Sequence, residues 1–350
     1  MRRKTRVIAV GDKLIGGNNP ITVQSMINTV TKDIESTVEQ TKRLENAGCD
    51  IVRMAISDNE DARAIEDIKK RIEIPIIADI QYDYKLALES INYGVDGLRI
   101  NPGNIGSLSK VKEIVEECKR KKISIRIGVN SGSIKREFLK KYDGVNENSM
   151  VESALEQVKL LEDLNFRDIK ISLKASNVPL SIKAYTKMSE LRDYPLHLGI
   201  TEAGPGMRGT IKSSVGIGTL LSRGIGDTIR VSLTGDPVEE VKVARGILKS
   251  LDLMEDGLEL ISCPTCGRTK IDLINIVEKA EERLEGINKN LTVAIMGCPV
   301  NGPGEAKEAD IGIAGGNGLG IIFKKGKVVK KVEEDQLLDE LVRQIEGLDD

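Results

Sequence analysis

The sequence predicts an α/β protein: an N-terminal (β/α)8 barrel of the TIM type over residues 1–250, then a smaller C-terminal α+β domain over residues 251–350. Three observations predict this. Eight short apolar runs recur from residue 21 onward, each followed by a Gly, Asn or Asp turn and a helical period. The runs are near-continuous in apolar residues rather than alternating, as parallel strands covered on both faces should be. Repeats filling residues 21–250 match the roughly 250 residues of a closed barrel, with a doubly wound open sheet as the structural rival. The hundred residues that follow are too many for a tail.

The expected barrel strands are Ile21–Met26, Ile51–Ile56, Pro75–Ile80, Gly97–Pro102, Ser124–Asn130, Asp168–Lys174, Pro195–Thr201 and Asp227–Leu233. Between them lie helical segments; Val151, Ala154, Leu155 and Val158 mark one helix face at i, i+3, i+4, i+7. Pro237 suits the first turn of the last barrel helix. The boundary falls near Leu251–Gly257. Beyond it, Leu258–Ser262 and Leu291–Gly297 read as strands around a helix whose face carries Leu273, Ile276, Val277, Ala280 and Leu284. Leu319–Phe323 and Lys327–Val332 flank a Gly-containing turn, a hairpin signature. Leu338, Leu341, Val342 and Ile345 mark a final amphipathic helix.

Composition excludes several classes. The 350 residues carry 52 basic and 54 acidic side chains, a net charge of −2, with 40% hydrophobic residues. No basic surplus marks a nucleic-acid binder, and six Tyr, three Phe and no Trp make a poor base-stacking platform. No apolar run approaches the roughly 20 residues of a membrane helix. The basic start, MRRKTRVIAVGDK, has too short an apolar stretch for a signal peptide. Five cysteines do not make a disulfide framework, so a cytoplasmic location is expected.

The predicted strands end in polar, mostly cationic residues: Gln24 and Ser25, Arg53, Asp79, Arg99, Arg126 with Asn130, Lys174, His197 with Glu202, and Arg230 with Ser232. A charged residue inside a covered parallel strand needs a polar destination, and the barrel mouth supplies it. Guanidinium forks match phosphate, so four arginines and a lysine point to a ligand more anionic than one carboxylate; a diphosphate fits. Gly204, Gly206 and Gly209 satisfy G-x-G-x-x-G, but the acidic residue about 20 positions on, Asp227, opens its strand instead of closing it, so no dinucleotide site is read.

Cys263 and Cys266 form C-P-T-C-G, and Cys298 follows in M-G-C-P-V-N-G-P-G-E. Each site follows a predicted strand, so two strand ends can deliver thiolates to one point. Spacing alone leaves three readings: a zinc knuckle, an iron–sulfur cluster, or a redox dithiol. Cys49 and Cys118 lie on predicted barrel helices and read as small buried hydrophobes. Glu305, seven residues after Cys298 in a Gly/Pro-rich turn, is a candidate fourth ligand.

These motifs, with V-Q-S-M at 23–26, L-R-I-N-P-G-N-I-G at 98–106, I-R-I-G-V-N at 125–130, L-H-L-G-I-T-E-A-G at 196–204 and G-I-G-D-T-I-R-V-S-L at 224–233, closely resemble the bacterial 4-hydroxy-3-methylbut-2-en-1-yl diphosphate synthases. The likeness runs from about residue 5 to the end. It implies reductive ring opening and dehydration of 2-C-methyl-D-erythritol 2,4-cyclodiphosphate in the non-mevalonate isoprenoid pathway. It also implies a [4Fe–4S] cluster on Cys263, Cys266, Cys298 and Glu305, electrons from reduced flavodoxin or ferredoxin, and a homodimer in which the barrel of one chain faces the cluster of the other. The expected roles follow. Arg53, Arg99, Arg126 and Lys174 clamp the diphosphate, with Asn130 and Ser232 as polar supplements. Asn301 contacts substrate near the cluster, Glu202 is the acid/base group, and Glu305 is a displaceable ligand. One departure stands out: relatives commonly read A-D-I-H-F-D-Y where this chain has Gln81, which replaces a titratable imidazole with a neutral amide. Two rival functions remain at this stage: a non-catalytic iron–sulfur carrier or sensor, and a barrel transferase with a structural zinc domain, since pterin-type synthases share the barrel layout.

Overall fold

The computed structural model describes residues 2–254, 257–284, 287, 289–299, 304 and 306–348. The chain divides into two compact units, Met1–Met254 and Glu255–Asp350.

The first unit opens with an antiparallel hairpin, β1 (Ile8–Val10) and β2 (Lys13–Ile15), which the sequence pattern did not reveal because three-residue strands are too short to show a period. Its Ile8, Val10 and Ile15 pack on Ile51 and Ile77 near the strand starts, closing the N-terminal end of the barrel. The barrel strands are β3 (Thr22–Met26), β4 (Ile51–Ala55), β5 (Ile76–Asp79), β6 (Gly97–Ile100), β7 (Ser124–Asn130), β8 (Ile169–Lys174), β9 (His197–Leu198) and β10 (Thr228–Ile229). They pair in parallel in the order β8-β7-β6-β5-β4-β3-β10-β9, and a parallel bridge between Ile171 and Leu196 brings the two ends together. The sheet therefore closes, and the open-sheet alternative is removed. β9 and β10 are much shorter than their predicted runs. At Gly199, just past β9, an added Cβ would lie 2.7 Å from both the Arg230 carbonyl and Lys174 Nζ, so the close packing there needs glycine.

Helices α1 (Ile34–Asn46), α2 (Asn59–Lys69), α3 (Tyr84–Asn92), α4 (Pro102–Ile105), α5 (Leu108–Lys121), α6 (Arg136–Lys141), α7 (Glu147–Asp163), α8 (Val178–Leu191), α9 (Gly206–Ser222) and α10 (Pro237–Lys249) surround the sheet. Several start on an Asp or Asn whose side chain accepts an N–H of the first turn: Asp33, Asp58, Asp83, Asn146, Asn177 and Asp236. Pro237 sits at the start of α10, as its position in the sequence suggests. The core between sheet and helices is aliphatic, built from residues such as Val52, Ile65, Ile100, Ile114, Leu161 and Leu196.

The second unit holds a five-stranded sheet, β11 (Glu259–Ser262), β12 (Thr292–Met296), β13 (Ile311–Ala314), β14 (Leu319–Lys324) and β15 (Lys327–Glu333), in that order. The first three strands are parallel and the last two pairings antiparallel. β14 and β15 join through Lys325 and Gly326, both at positive φ, the two-residue turn that matches strand twist. α11 (Leu273–Leu284) and α12 (Leu337–Glu346) contribute Ala280, Leu341 and Ile345 to a core with Ile295, Ile311 and Ile313. Among the described residues, no helix is long and apolar enough to cross a membrane.

Candidate functional site

A cavity of about 240 Å³ opens at the C-terminal ends of the barrel strands, where barrel enzymes place their chemistry. The sequence-predicted Arg53, Arg99, Arg126, Asn130, Lys174 and Ser232 all line it, joined by Asp79, Gln81, Ser172, Thr201 and Arg230. Strand alternation explains the convergence: Arg126 and Asn130 share one face of β7, and Lys170, Ser172 and Lys174 share one face of β8. Arg126 lies opposite Arg99 and Lys170 in the ladder, and Asn130 opposite Lys174.

The lining is strongly cationic. Arg99 Nη1 donates to Asp79 Oδ1 at 3.1 Å and to Gln81 Oε1 at 3.3 Å. Arg53 Nε stands 3.7 Å from Asp79 Oδ2, and Arg230 Nη2 lies 3.5 Å from Glu240 Oε2. Arg126 is only 2% exposed, and its Nε and Nη1 are buried without a hydrogen-bond partner. Burial, reinforced by Arg53 and Arg99, pushes this guanidinium well below its ordinary range. Arg53 falls to about 9, again chiefly through burial, with Arg230 adding to it and Asp79 opposing it. Lys174 is lowered well below the ordinary amine range by burial and then by Arg126. Its Nζ lies 3.4 Å from His197 Nε2, and the buried His197 is held well below the usual imidazole value by burial and by Lys174. Such a mouth is short of anions: Asp79 and Glu240 face five cationic side chains. A multiply charged anionic ligand relieves that imbalance.

Glu202 stands elsewhere. It is exposed, outside the cavity lining, on the loop just after Thr201, and takes a left-handed φ of 52°. That conformation costs a non-glycine residue about 1 kcal/mol. Gln81, where relatives commonly carry His, lies in the lining and accepts from Arg99, a role a protonated imidazole could not fill. Arg230 and Asp79 also ended predicted strands; their charge next to the other strand-end cations was the signal for including them.

In the second unit, Cys263 follows β11 and Cys298 follows β12, on adjacent parallel strand ends. Gly297 ties the two cysteine loops together. Its N–H donates to Cys263 Sγ at 3.2 Å, and its carbonyl accepts from Lys270 N at 2.8 Å. Cys298 is buried, Cys263 half-buried and Cys266 exposed. The Cys266 thiol is lowered, first by the Arg268 backbone N–H. Amide donors on sulfur favour the thiolate that binds metal and tune cluster potential, so the donor set suits an iron–sulfur group. Asn301 and Glu305 lie outside the described residues. Among the described residues, no three His, Cys, Asp or Glu side chains gather as a single-ion site, and no disulfide joins any of the five cysteines. Cys49 and Cys118 are buried in the barrel unit. Burial pushes the Cys49 thiol up to about 12 and raises Cys118 as well.

Fold and site together define a barrel protein with a mouth lined by basic side chains and a cysteine-bearing second unit. Residues 5–245 match the GcpE TIM-barrel domain and residues 259–347 the GcpE protein C-terminal domain. The chain belongs to the GcpE family. It is 62% identical over 99% of its length, and 98% of the relative's, to a protein of Caldanaerobacter subterraneus subsp. tengcongensis named 4-hydroxy-3-methylbut-2-en-1-yl diphosphate synthase (flavodoxin). A Clostridium perfringens protein of the same name is 59% identical over 99% of each chain. Among solved structures, Yersinia pestis dihydropteroate synthase is similar with a TM-score of 0.52 at 11% identity, covering 70% of this chain and 98% of that one. That likeness shows the barrel fold alone.

Proposed function

We propose that this chain is an oxidoreductase that converts 2-C-methyl-D-erythritol 2,4-cyclodiphosphate to (E)-4-hydroxy-3-methylbut-2-enyl diphosphate with reduced flavodoxin as donor. The observation that carries this reading is near-full-length identity of 62% to a synthase so named, in a chain whose predicted diphosphate clamp converges on one cavity. The reaction balances with two electrons and one proton: a ring C–O bond and the neighbouring C–OH bond break, a C=C bond forms, and water leaves.

In this reading Cys263, Cys266 and Cys298, with Glu305, hold a [4Fe–4S] cluster, one per chain. When bound it supplies single electrons and a Lewis-acidic iron. The barrel residues supply binding and orientation. Arg53, Arg99, Arg126, Lys174 and Arg230 neutralise the two phosphoryl charges, while Asn130 and Ser232 add hydrogen bonds. Asp79 holds Arg99 and faces Arg53, so both forks are set before the ligand arrives. Glu202, kept in a strained conformation beside the lining, is the proposed proton donor to the departing hydroxyl; Asn301 and Glu305 complete the polar set. The reading includes a cytoplasmic homodimer, checked by sedimentation. Ferredoxin in place of flavodoxin is the alternative donor.

The test is anaerobic turnover of the cyclodiphosphate with reduced flavodoxin, followed by ³¹P NMR, on protein with about four irons per chain. Formation of the linear diphosphate supports the reading. Stoichiometric zinc and no turnover after anaerobic reconstitution would overturn it.

A further inference from the structure

Below the cavity the barrel interior stays polar, where barrels are usually filled with branched aliphatics. Lys170 of β8 is 1% exposed and its Nζ has no hydrogen-bond partner. Its register partner on β7 is Arg126, whose Nε and Nη1 are equally orphaned. From β9, His197 lies within the field of Lys170, Arg126 and Lys174. The carboxylate facing Lys170 is Asp227, just before β10. It is already engaged: Oδ1 accepts from Arg2 Nη2 and Thr5 Oγ1, both at 3.1 Å, and Oδ2 from Leu196 N at 2.8 Å. Four basic side chains therefore share a low-dielectric space; Asp79 acts on Arg126 and Glu240 on Lys174 from the mouth, while the carboxylate that acts on Lys170 is committed to other donors. Guanidinium keeps its charge under such conditions, whereas a lysine with no acceptor for its N–H groups sheds a proton; Lys174 has His197 Nε2 3.4 Å away, and Lys170 has no partner.

We propose that Lys170 is the charge-regulating residue of the anion site: a neutral amine in the free protein that takes a proton from solvent when a dianion fills the cavity above it. Binding and proton uptake are then one equilibrium, and the proton gained strengthens the field that holds the ligand. Burial supports the assignment: with a smaller contribution from Arg126, and against Asp227, it brings the Lys170 ammonium down to about 7. The inference rests on the proposed function only for the identity of the ligand. The cyclodiphosphate carries one strongly acidic oxygen per phosphorus, so its own charge is constant near neutrality and any proton taken up belongs to the protein.

The test is isothermal calorimetry on the cluster-loaded, unreduced protein at pH 8, in buffers of different ionisation enthalpy. The two ligands are the cyclodiphosphate and sulfate, which does not titrate in this range. The expected result is uptake of about half to one proton per ligand, with affinity falling up to about tenfold between pH 8 and 9. Lys170→Met should lose most of that uptake and flatten the pH dependence, while Lys170→Arg, charged throughout, should flatten it and keep affinity at pH 9. No proton uptake by the unmodified protein overturns the inference without recourse to any variant, and undiminished uptake in a folded Lys170→Met protein overturns it as well. Sulfate binding with proton uptake, but no binding of the cyclodiphosphate, leaves the inference standing and refutes the substrate reading.

Discussion

Arg126 is where function and stability pull hardest against each other, and replacing it with methionine separates the two. The guanidinium is 2% exposed, two of its nitrogens have no partner, and Arg53 and Arg99 lie close enough to depress it. In the free protein this is an uncompensated buried charge, and replacing such groups with well-packed apolar residues is worth about 1–4 kcal/mol of stability. Methionine preserves length and fills the space. Arg126→Met should therefore raise the melting temperature by several degrees, at about 2–4 °C per kcal/mol for a unit of this size. Against the bound anion the sign reverses. A charge pair at 4 Å and an effective dielectric of 20 is worth about 4 kcal/mol, and truncating one partner of a desolvated pair costs about 2–5 kcal/mol. We expect kcat/KM for the cyclodiphosphate to fall about 10²- to 10³-fold. Steady-state kinetics with reduced flavodoxin and a thermal melt of the free protein are the paired measurements. Kinetics within threefold of the unmodified protein, or a melting temperature several degrees lower, would refute the reasoning.

Other consequences are open to direct measurement. Cys298→Ser should leave the barrel folded by circular dichroism but lower bound iron and sulfide to a small fraction; full iron content would remove Cys298 from the ligand set. In cluster-free protein, alkylation followed by mass spectrometry should label the exposed Cys266 first and spare Cys49 and Cys118 until unfolding, because burial holds the last two as thiols. Glu202→Gln should lower kcat at least tenfold with little change in KM; a loss confined to KM would make it a binding residue instead. Lys170 has a lowered folded-state value, about 7 against 10.5 unfolded. The unfolded chain therefore binds the extra proton in this window, and stability rises with pH from 7 upward, by about 2 kcal/mol to pH 9. Lys170→Met should remove that slope in urea denaturation, and an unchanged slope would show that another group carries it.

Most of the barrel was legible because its strands recur as short, largely apolar runs, each followed by a turn and a helical period, as covered parallel strands should. Arg53, Arg99 and Arg126 inside their runs, and Lys174 at the end of its own, broke that pattern, which is why the cation cluster was visible in the sequence. The elements that escaped are those with little local signal. The β1–β2 hairpin and the four-residue β13 are too short to show a period. The shortness of β9 and β10 carries no local signal, and the close approach at Gly199 comes from the Lys174 side chain and the Arg230 carbonyl, 25 and 31 positions away in the chain. The second-unit hairpin was readable from its Lys-Gly turn. Gln81 was harder: a neutral amide gives no electrostatic signal, and only its bond to Arg99 gives it a place in the lining.

The sparse carboxylates of the mouth follow from the same arithmetic that depresses its cations. A carboxylate on every arginine would stabilise the free protein and leave nothing for the ligand to neutralise. Asp79 instead bonds Arg99 directly and touches Arg53 only at 3.7 Å, which orients two forks while spending one negative charge. Arg126 and Lys170, deeper in the barrel, have no such counterion. The mouth is thus graded. Its outer cations are positioned in advance, and its inner ones are left electrostatically unsatisfied until an anion arrives. Asp79→Asn should then loosen orientation more than it changes net attraction. The anion Kd should move little or tighten, while kcat for the cyclodiphosphate falls, and a large loss of affinity would show instead that Asp79 contacts the ligand.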